Sequence, residues 1–122
     1  MLLAIDGDST LVGIAYLRCH SRQAEGLVAN IGYCVVPSSR GSGIGSRLVE
    51  SVVALGSQHG VGIIRDSVFA ENKGSLRILE KMGFKAVGLG KENIWHDQKF
   101  LRLIMELRLK ESVADVDVRT GT

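Results

Sequence analysis

The spacing of apolar positions along this 122-residue chain changes several times, and each change marks an element. Residues 1–5 and 11–19 are apolar runs separated by Asp6-Gly7-Asp8-Ser9-Thr10, a stretch of residues that tolerate or initiate turns, which predicts a β-hairpin. After a polar stretch over residues 20–26, a third run, 27–36, carries Ile31, Tyr33, Val35 and Val36 and stops at Pro37, the only proline in the chain. Proline has no N–H to give to a ladder, so Pro37 ends a third strand. From Ile44 the period becomes helical. Ile44, Leu48, Val52 and Leu55 form one stripe, Val49 and Val53 widen it, and Arg47, Glu50 and Ser51 lie off its centre, giving a helix of about four turns.

Residues 61–69 predict a strand and residues 73–82 a second helix. Leu76, Leu79 and Met82 lie near one face of that helix, and Gly83 is placed for a left-handed C-terminal cap. A short strand over 84–89 and a polar loop over 90–98, carrying Trp95, lead to the clearest alternation in the chain. There Leu101, Leu103, Met105, Leu107 and Leu109 interleave with Arg102, Ile104, Glu106 and Arg108, as one buried and one mostly wet face require. Beyond Lys110 the pattern lapses, so residues 110–122 are expected to be a flexible tail behind one domain, 1–109, of mixed α/β class.

Composition narrows the function classes. With 45% hydrophobic and 23% charged residues and a mean hydropathy of +0.16, the chain can fill one core and is not expected to be disordered. The formal charge is +2 and no block of five basic residues concentrates it, so no nucleic-acid partner is indicated. No apolar run approaches membrane-spanning length, and no basic leader precedes the first apolar residues, which points to a cytoplasmic protein without a membrane partner. Cys19 and Cys34 sit in apolar runs and are expected to be small buried side chains. His59 and His96 have no partner at metal-ligand spacing, and no metal is expected.

The chemistry concentrates in Arg40-Gly41-Ser42-Gly43-Ile44-Gly45-Ser46, between the strand ending at Pro37 and the helix starting near Ile44. Glycines let main-chain N–H groups converge, and a helix N-terminus adds partial positive charge, so the stretch is suited to an anion such as a pyrophosphate. A P-loop would need lysine where Arg47 follows Gly45-Ser46. The dinucleotide fingerprint would need glycine where Ser46 or Leu48 stands. A flexible glycine turn before an ordinary helix is the alternative to an anion site.

Arg40-Gly41-Ser42-Gly43-Ile44-Gly45 resembles the R/Q-x-x-G-x-G/A signature of the GNAT superfamily of N-acetyltransferases, whose loop holds the coenzyme A pyrophosphate. Downstream, Asn72, Ser75, Leu79, Gly83 and Phe84 resemble that family's N-x-x-(A/S) helix ending in G-F, and the opening hairpin with Val12-Gly13 is similar to its second and third strands. The resemblance runs from about Met1 to Leu109. Trp95 and Asp97 are similar to a W-x-D element of the phosphinothricin acetyltransferase-like branch, which a lone core tryptophan would mimic.

The resemblance implies a mostly antiparallel sheet flanked by helices, shortened by the first strand and first two helices of the family. It also implies acetyl-CoA in a splay between the strands at 27–36 and 61–69. Arg40, Gly41, Ser42, Gly43, Ile44, Gly45, Ser46, Asn72 and Ser75 would contact the coenzyme, and main-chain groups near Val35 and Val36 would pair with pantetheine. The implied reaction is direct attack of a primary amine, on a small molecule or a peptide, on the thioester. Leu79 stands where many relatives carry a tyrosine that protonates the leaving thiolate, and Tyr33 is the remaining candidate acid, with simple packing of its ring as the alternative. Glu25, Glu71, His20 and Asn30 are near the expected acceptor, with no paired carboxylates among them. A non-catalytic coenzyme-binding module is the rival reading. The shortened front would leave a sheet edge and one sheet face uncovered, so a homodimer is expected.

Overall fold

The computed structural model describes residues 2–5, 8–24 and 26–109. The chain runs β1 (Leu2–Ile5), β2 (Leu11–Gln23), β3 (Gly26–Val35), a 3-10 turn (Pro37–Ser39), α1 (Ile44–Gln58), β4 (Val61–Phe69) and α2 (Lys73–Lys81). It continues through β5 (Lys85–Leu89), β6 (Asn93–Trp95) and β7 (Gln98–Phe100) to β8 (Arg102–Arg108). Among the described residues, six strands form one sheet in the order β1-β2-β3-β4-β8-β5, and β6 pairs with β7. Every neighbouring pair is antiparallel except β3 with β4. A parallel pair needs a crossover, and α1 supplies it.

Alternation along the strands decides what α1 and α2 cover. Ala15, Ile31, Val35, Ile64, Val68 and Met105 share one sheet face and pack in a single core with Leu48, Val49 and Val52 of α1 and Leu76 and Leu79 of α2. Ile64, Val49 and Leu79 are fully buried there, each contributing roughly 1.5–3 kcal/mol of burial. On the opposite face Val12, Val28 and Ile63 are buried, while Ile14 and Tyr16 of β2 are 37% and 44% exposed. The Tyr16 ring lies directly over Gly32, where any Cβ would come within 2.3 Å of it.

The structure corrects the sequence expectations in four places. Strand β2 runs on through the polar stretch to Gln23, pairing with Gly26, because main-chain pairing beyond the core needs no apolar side chains. The loop expected over 90–98 contains the β6–β7 hairpin, turned at His96 and Asp97 with φ of 49° and 64°, the left-handed pair that two-residue hairpin turns favour. Cys19 and Cys34 are both exposed rather than buried; Cys34 lies on the opposite face, alternating with the buried Ile31 and Val35 side. Glu106, placed by alternation on a wet face, is only 8% exposed, held by Arg65 at 2.8 Å and Arg108 at 3.0 Å. Two guanidiniums satisfy a carboxylate that burial alone would penalise. The tail expected over 110–122 lies outside the described residues, as does any side chain at the opening edge.

Candidate functional site

The parallel pairing of β3 with β4 begins at Leu27↔Val61 and ends at Asn30↔Arg65. Beyond it the two strands run on, unpaired with each other, to Val35 and Phe69, so a crevice opens between their C-terminal halves. Both helices start at the open end of this crevice, α1 after β3 and α2 after β4. The C-terminal ends of parallel strands, where helix N-termini converge, are the general ligand position in such sheets.

The β3 wall carries main-chain groups that β2 leaves unpaired. Val36 donates its N–H to the Val12 carbonyl at 2.8 Å and accepts from Ser39 at 2.9 Å, so both of its main-chain groups are committed. The Gly13–Val35 pair is then the non-hydrogen-bonded type, and Val35 and Tyr33 turn their N–H and C=O groups away from β2 toward the crevice. Arg40 reaches back to this edge, its Nε donating to the Val35 carbonyl at 3.1 Å.

At the mouth, Gly41 and Gly43 both have φ of 84°, a conformation glycine adopts without strain, and no atom lies within 4 Å of where a Cβ would stand on either. Gly43 caps α1 without any side-chain hydrogen bond, and the first turn carries no acidic residue. The first intrahelical bond is from Arg47 to Gly43, at 3.1 Å, which leaves the N–H groups of Ile44, Gly45 and Ser46 without helical acceptors. Ser42 Oγ donates to the Ser39 carbonyl at 2.6 Å, bracing the turn. The loop is therefore an open, uncapped positive helix end with room for an anion.

The α2 end is built differently. Asn72 caps it, its side-chain oxygen accepting from the Ser75 N–H at 3.1 Å. The Ser75 hydroxyl meets the Tyr33 hydroxyl of β3 at 2.5 Å, bridging the crevice from α2 to β3. Gly45 comes close beside them, a Cβ there meeting Ile78 at 3.1 Å and the Tyr33 ring at 3.7 Å. Burial pushes the Tyr33 hydroxyl above its ordinary range, partly offset by the Ser75 hydrogen bond and reinforced by the charge of Asp66.

Asp66 is a carboxyl that the sequence reading passed over. It is the first residue of β4 beyond the last β3 pair, and it alternates with Ile64 and Val68, so it faces the helices. Burial raises it from 3.8 to about 7, against the lowering effect of the Ser67 main-chain N–H and the Arg102 guanidinium. That guanidinium is itself seated over the Phe69 ring, 4.0 Å from its centre. The signal in the sequence was a charged residue at an inward position of a strand otherwise apolar on that side.

The other expected participants are scattered. His20 is exposed and contacts Ser21 at 3.2 Å, Asn30 is exposed on β3, and Glu71 is exposed in the turn before α2. Leu79 is fully buried in the core, and Glu25 lies outside the described residues. Asp97 occupies the left-handed hairpin turn, a backbone reason for that residue type. Among the described residues no three His, Cys, Asp or Glu side chains gather to hold a metal, and no helix is long and apolar enough to cross a membrane.

Residues 1–85 match the model of the GNAT acetyltransferase domain. Among curated proteins, the chain is 34% identical over 70 residues to YoaA of Bacillus subtilis, an uncharacterized N-acetyltransferase, covering 57% of this chain and 40% of that protein. It is 29% identical over 76 residues to YwnH of the same organism, provisionally named a phosphinothricin acetyltransferase, covering 62% and 47%. The chain thus spans less than half the length of these relatives. Among solved structures, a GNAT superfamily phosphinothricin acetyltransferase from Sinorhizobium meliloti, in complex with AcCoA, superposes with a TM-score of 0.79 at 21% identity, over 92% of this chain and 62% of that one. A GCN5-related N-acetyltransferase from Kribbella flavida superposes at 0.77 with 23% identity, over 88% and 66%. These likenesses establish the fold.

Proposed function

This chain belongs to the GNAT acetyltransferase family, and on that premise we propose that it binds acetyl-CoA in the β3–β4 crevice and transfers the acetyl group to a primary amine of a small molecule or peptide. The observation that carries the reading is the uncapped N-terminus of α1, its glycines open to approach, at the mouth of a crevice edged by unpaired main-chain groups. The residues fit the coenzyme in sequence along the crevice. N–H groups from Gly41 to Ser46 take the pyrophosphate, with Arg40 beside them. The Tyr33 main-chain groups and the Val35 N–H are offered to the pantetheine amides, and Asn72 and Ser75 form the opposite wall. The committed hydrogen bonds of Val36 leave the pairing to Val35 and Tyr33.

In this reading a neutral amine attacks the thioester carbon at the closed end of the crevice, where strand N–H groups stabilise the developing oxyanion. The amine must lose its proton before attack, so turnover rises with pH on the acid side. A screen of amines with acetyl-CoA, read as release of free thiol, tests the assignment; coenzyme binding with no thiol released from any amine overturns the transferase activity. That outcome would favour a second reading, a coenzyme-binding module without turnover, which Leu79, a buried side chain with no proton to give, supports. The exposed Ile14 and Tyr16 support a homodimer in which a second copy covers them, tested by light scattering at micromolar concentration. A cytoplasmic setting agrees with the two unpaired, exposed cysteines.

A further inference from the structure

We propose that Asp66, on β4 at the closed end of the crevice and beside Tyr33, is the catalytic residue that gives its proton to the departing sulfur of the coenzyme. The inference rests on the acetyl-CoA reading and deepens it. The anion site lies at the crevice mouth, and the wall of β3 from Val35 down to Ile31 is about 13 Å long by strand rise. An arm anchored by its phosphates at Gly41–Ser46 and paired along that wall brings its far end, the thioester, to the point where β3 and β4 rejoin at Asn30 and Arg65. Asp66 is the next residue on the β4 side.

Its surroundings suit a proton donor. Tyr33 faces it from β3, Arg102 from β8, and the Ser67 N–H from its own strand, while α2 contributes the neutral Ser75 hydroxyl at Tyr33 and the aliphatic Leu76 and Leu79. A carboxyl raised to about 7 by burial still holds its proton in about half of the molecules at neutrality. Proton transfer from it to a thiolate, whose thiol has a pKa of about 8.5 in an ordinary side chain, is downhill. Tyr33, pushed above 10.0 by burial, would give its proton uphill. Tyr33 is thereby a positioning residue, its hydroxyl held by Ser75 within reach of the Asp66 charge.

The amine lone pair forms the N–C bond and the carbonyl π pair moves to oxygen. The carbonyl then reforms, the C–S bond breaks with its pair on sulfur, and the Asp66 proton joins that sulfur. The surplus amine proton leaves to water, and Asp66 regains one from solvent. No other reactant is needed.

The test requires no acceptor. Coenzyme A is bound to the parent and to Asp66→Asn, with binding checked by calorimetry, and its thiol is titrated by ultraviolet thiolate absorbance. In the parent the Asp66 carboxylate repels a thiolate, so the bound thiol is expected to titrate lower in Asp66→Asn, by on the order of one pH unit. Equal titrations overturn the proposal. A second measurement uses the parent alone, following the Asp66 carboxyl carbon by NMR in complexes with coenzyme A and with desulfo-coenzyme A. A shifted carboxyl titration when the sulfur is removed supports contact, and an unchanged one overturns it. Absence of coenzyme binding overturns the underlying reading as well, whereas binding with unchanged titrations overturns this inference alone.

Discussion

The two helices that open at the crevice begin in opposite ways. Helix α1 starts at a left-handed glycine with no side chain to accept from its first N–H groups, whereas α2 starts at Asn72, whose side chain accepts from Ser75. A helix end satisfied by its own residue has one fewer donor for a ligand, and one left open keeps all of them. The α1 end thus keeps its donors for the proposed anion, and the α2 end is a fixed post that holds Ser75 against Tyr33, whose hydroxyl feels the charge of Asp66. In the proposed reading, one side of the crevice handles charge from outside the protein and the other handles protons within it.

The largest expected effect probes the proton side. Asp66 titrates at about 7 folded and at 3.8 as a free group, so the folded state keeps its proton longer than the unfolded state. Stability therefore falls as pH rises from about 4 to about 7 and is level above that, the direction for a carboxyl whose folded pKa is raised. Asp66→Asn abolishes that slope and gains stability at pH 8, with an upper bound of about 4 kcal/mol. Chemical denaturation at pH 4 and pH 8 measures it. A variant no more stable than the parent at pH 8 would show that the carboxyl is solvated and that the proton side is not distinct.

The anion side comes next. Gly43→Asp forces a side chain into a φ of 84° and puts a negative charge and a self-capping carboxylate where the phosphates are expected. Coenzyme affinity should fall at least about 100-fold, or about 3 kcal/mol, by calorimetry. Asn72→Ala sharpens the contrast: it should cost about 1 kcal/mol of stability by thermal melting and weaken coenzyme binding far less than Gly43→Asp does. Equal losses of affinity in the two variants would erase the distinction between the helix ends. Smallest is Ser75→Ala, which should cost about 0.5–1 kcal/mol and move the Tyr33 titration upward, because the hydrogen bond that lowers it is gone.

Much of this was legible in the sequence wherever the side chains that form an element also fill the core. Strand β4 matches its apolar run over 61–69, and α2 ends where Gly83, with φ of 97°, follows its amphipathic stripe. The glycine loop was legible because only glycine suits the main chain at Gly41 and Gly43. What escaped was set by partners distant in sequence. Glu106 is buried because Arg65, 41 residues away, meets it, and the β6–β7 hairpin is two strands of three residues each, too short to show a period. Asp66 was hidden by its neighbour Arg65: side by side they read as surface charge, yet alternation sends one to each face of the sheet. Main-chain availability was hidden too, since nothing in Val35-Val36 tells which residue turns its N–H toward the crevice.

The parting of β3 and β4 has a consequence for how the protein breathes. Where the two strands separate, the sheet lacks cross-strand bonds between its third and fourth members, and the amide hydrogens of Tyr33 and Val35 lie on that unzipped seam. A ligand arm laid along the seam would act as a temporary strand, coupling the β1-β2-β3 half of the sheet to the β4-β8-β5 half. Stabilisation by such a ligand grows with the logarithm of its concentration above Kd, about 2.7 kcal/mol at a hundredfold excess. In hydrogen exchange the gain should appear first as slowed exchange at Tyr33 and Val35, well before it reaches amides already locked in the β2–β3 ladder.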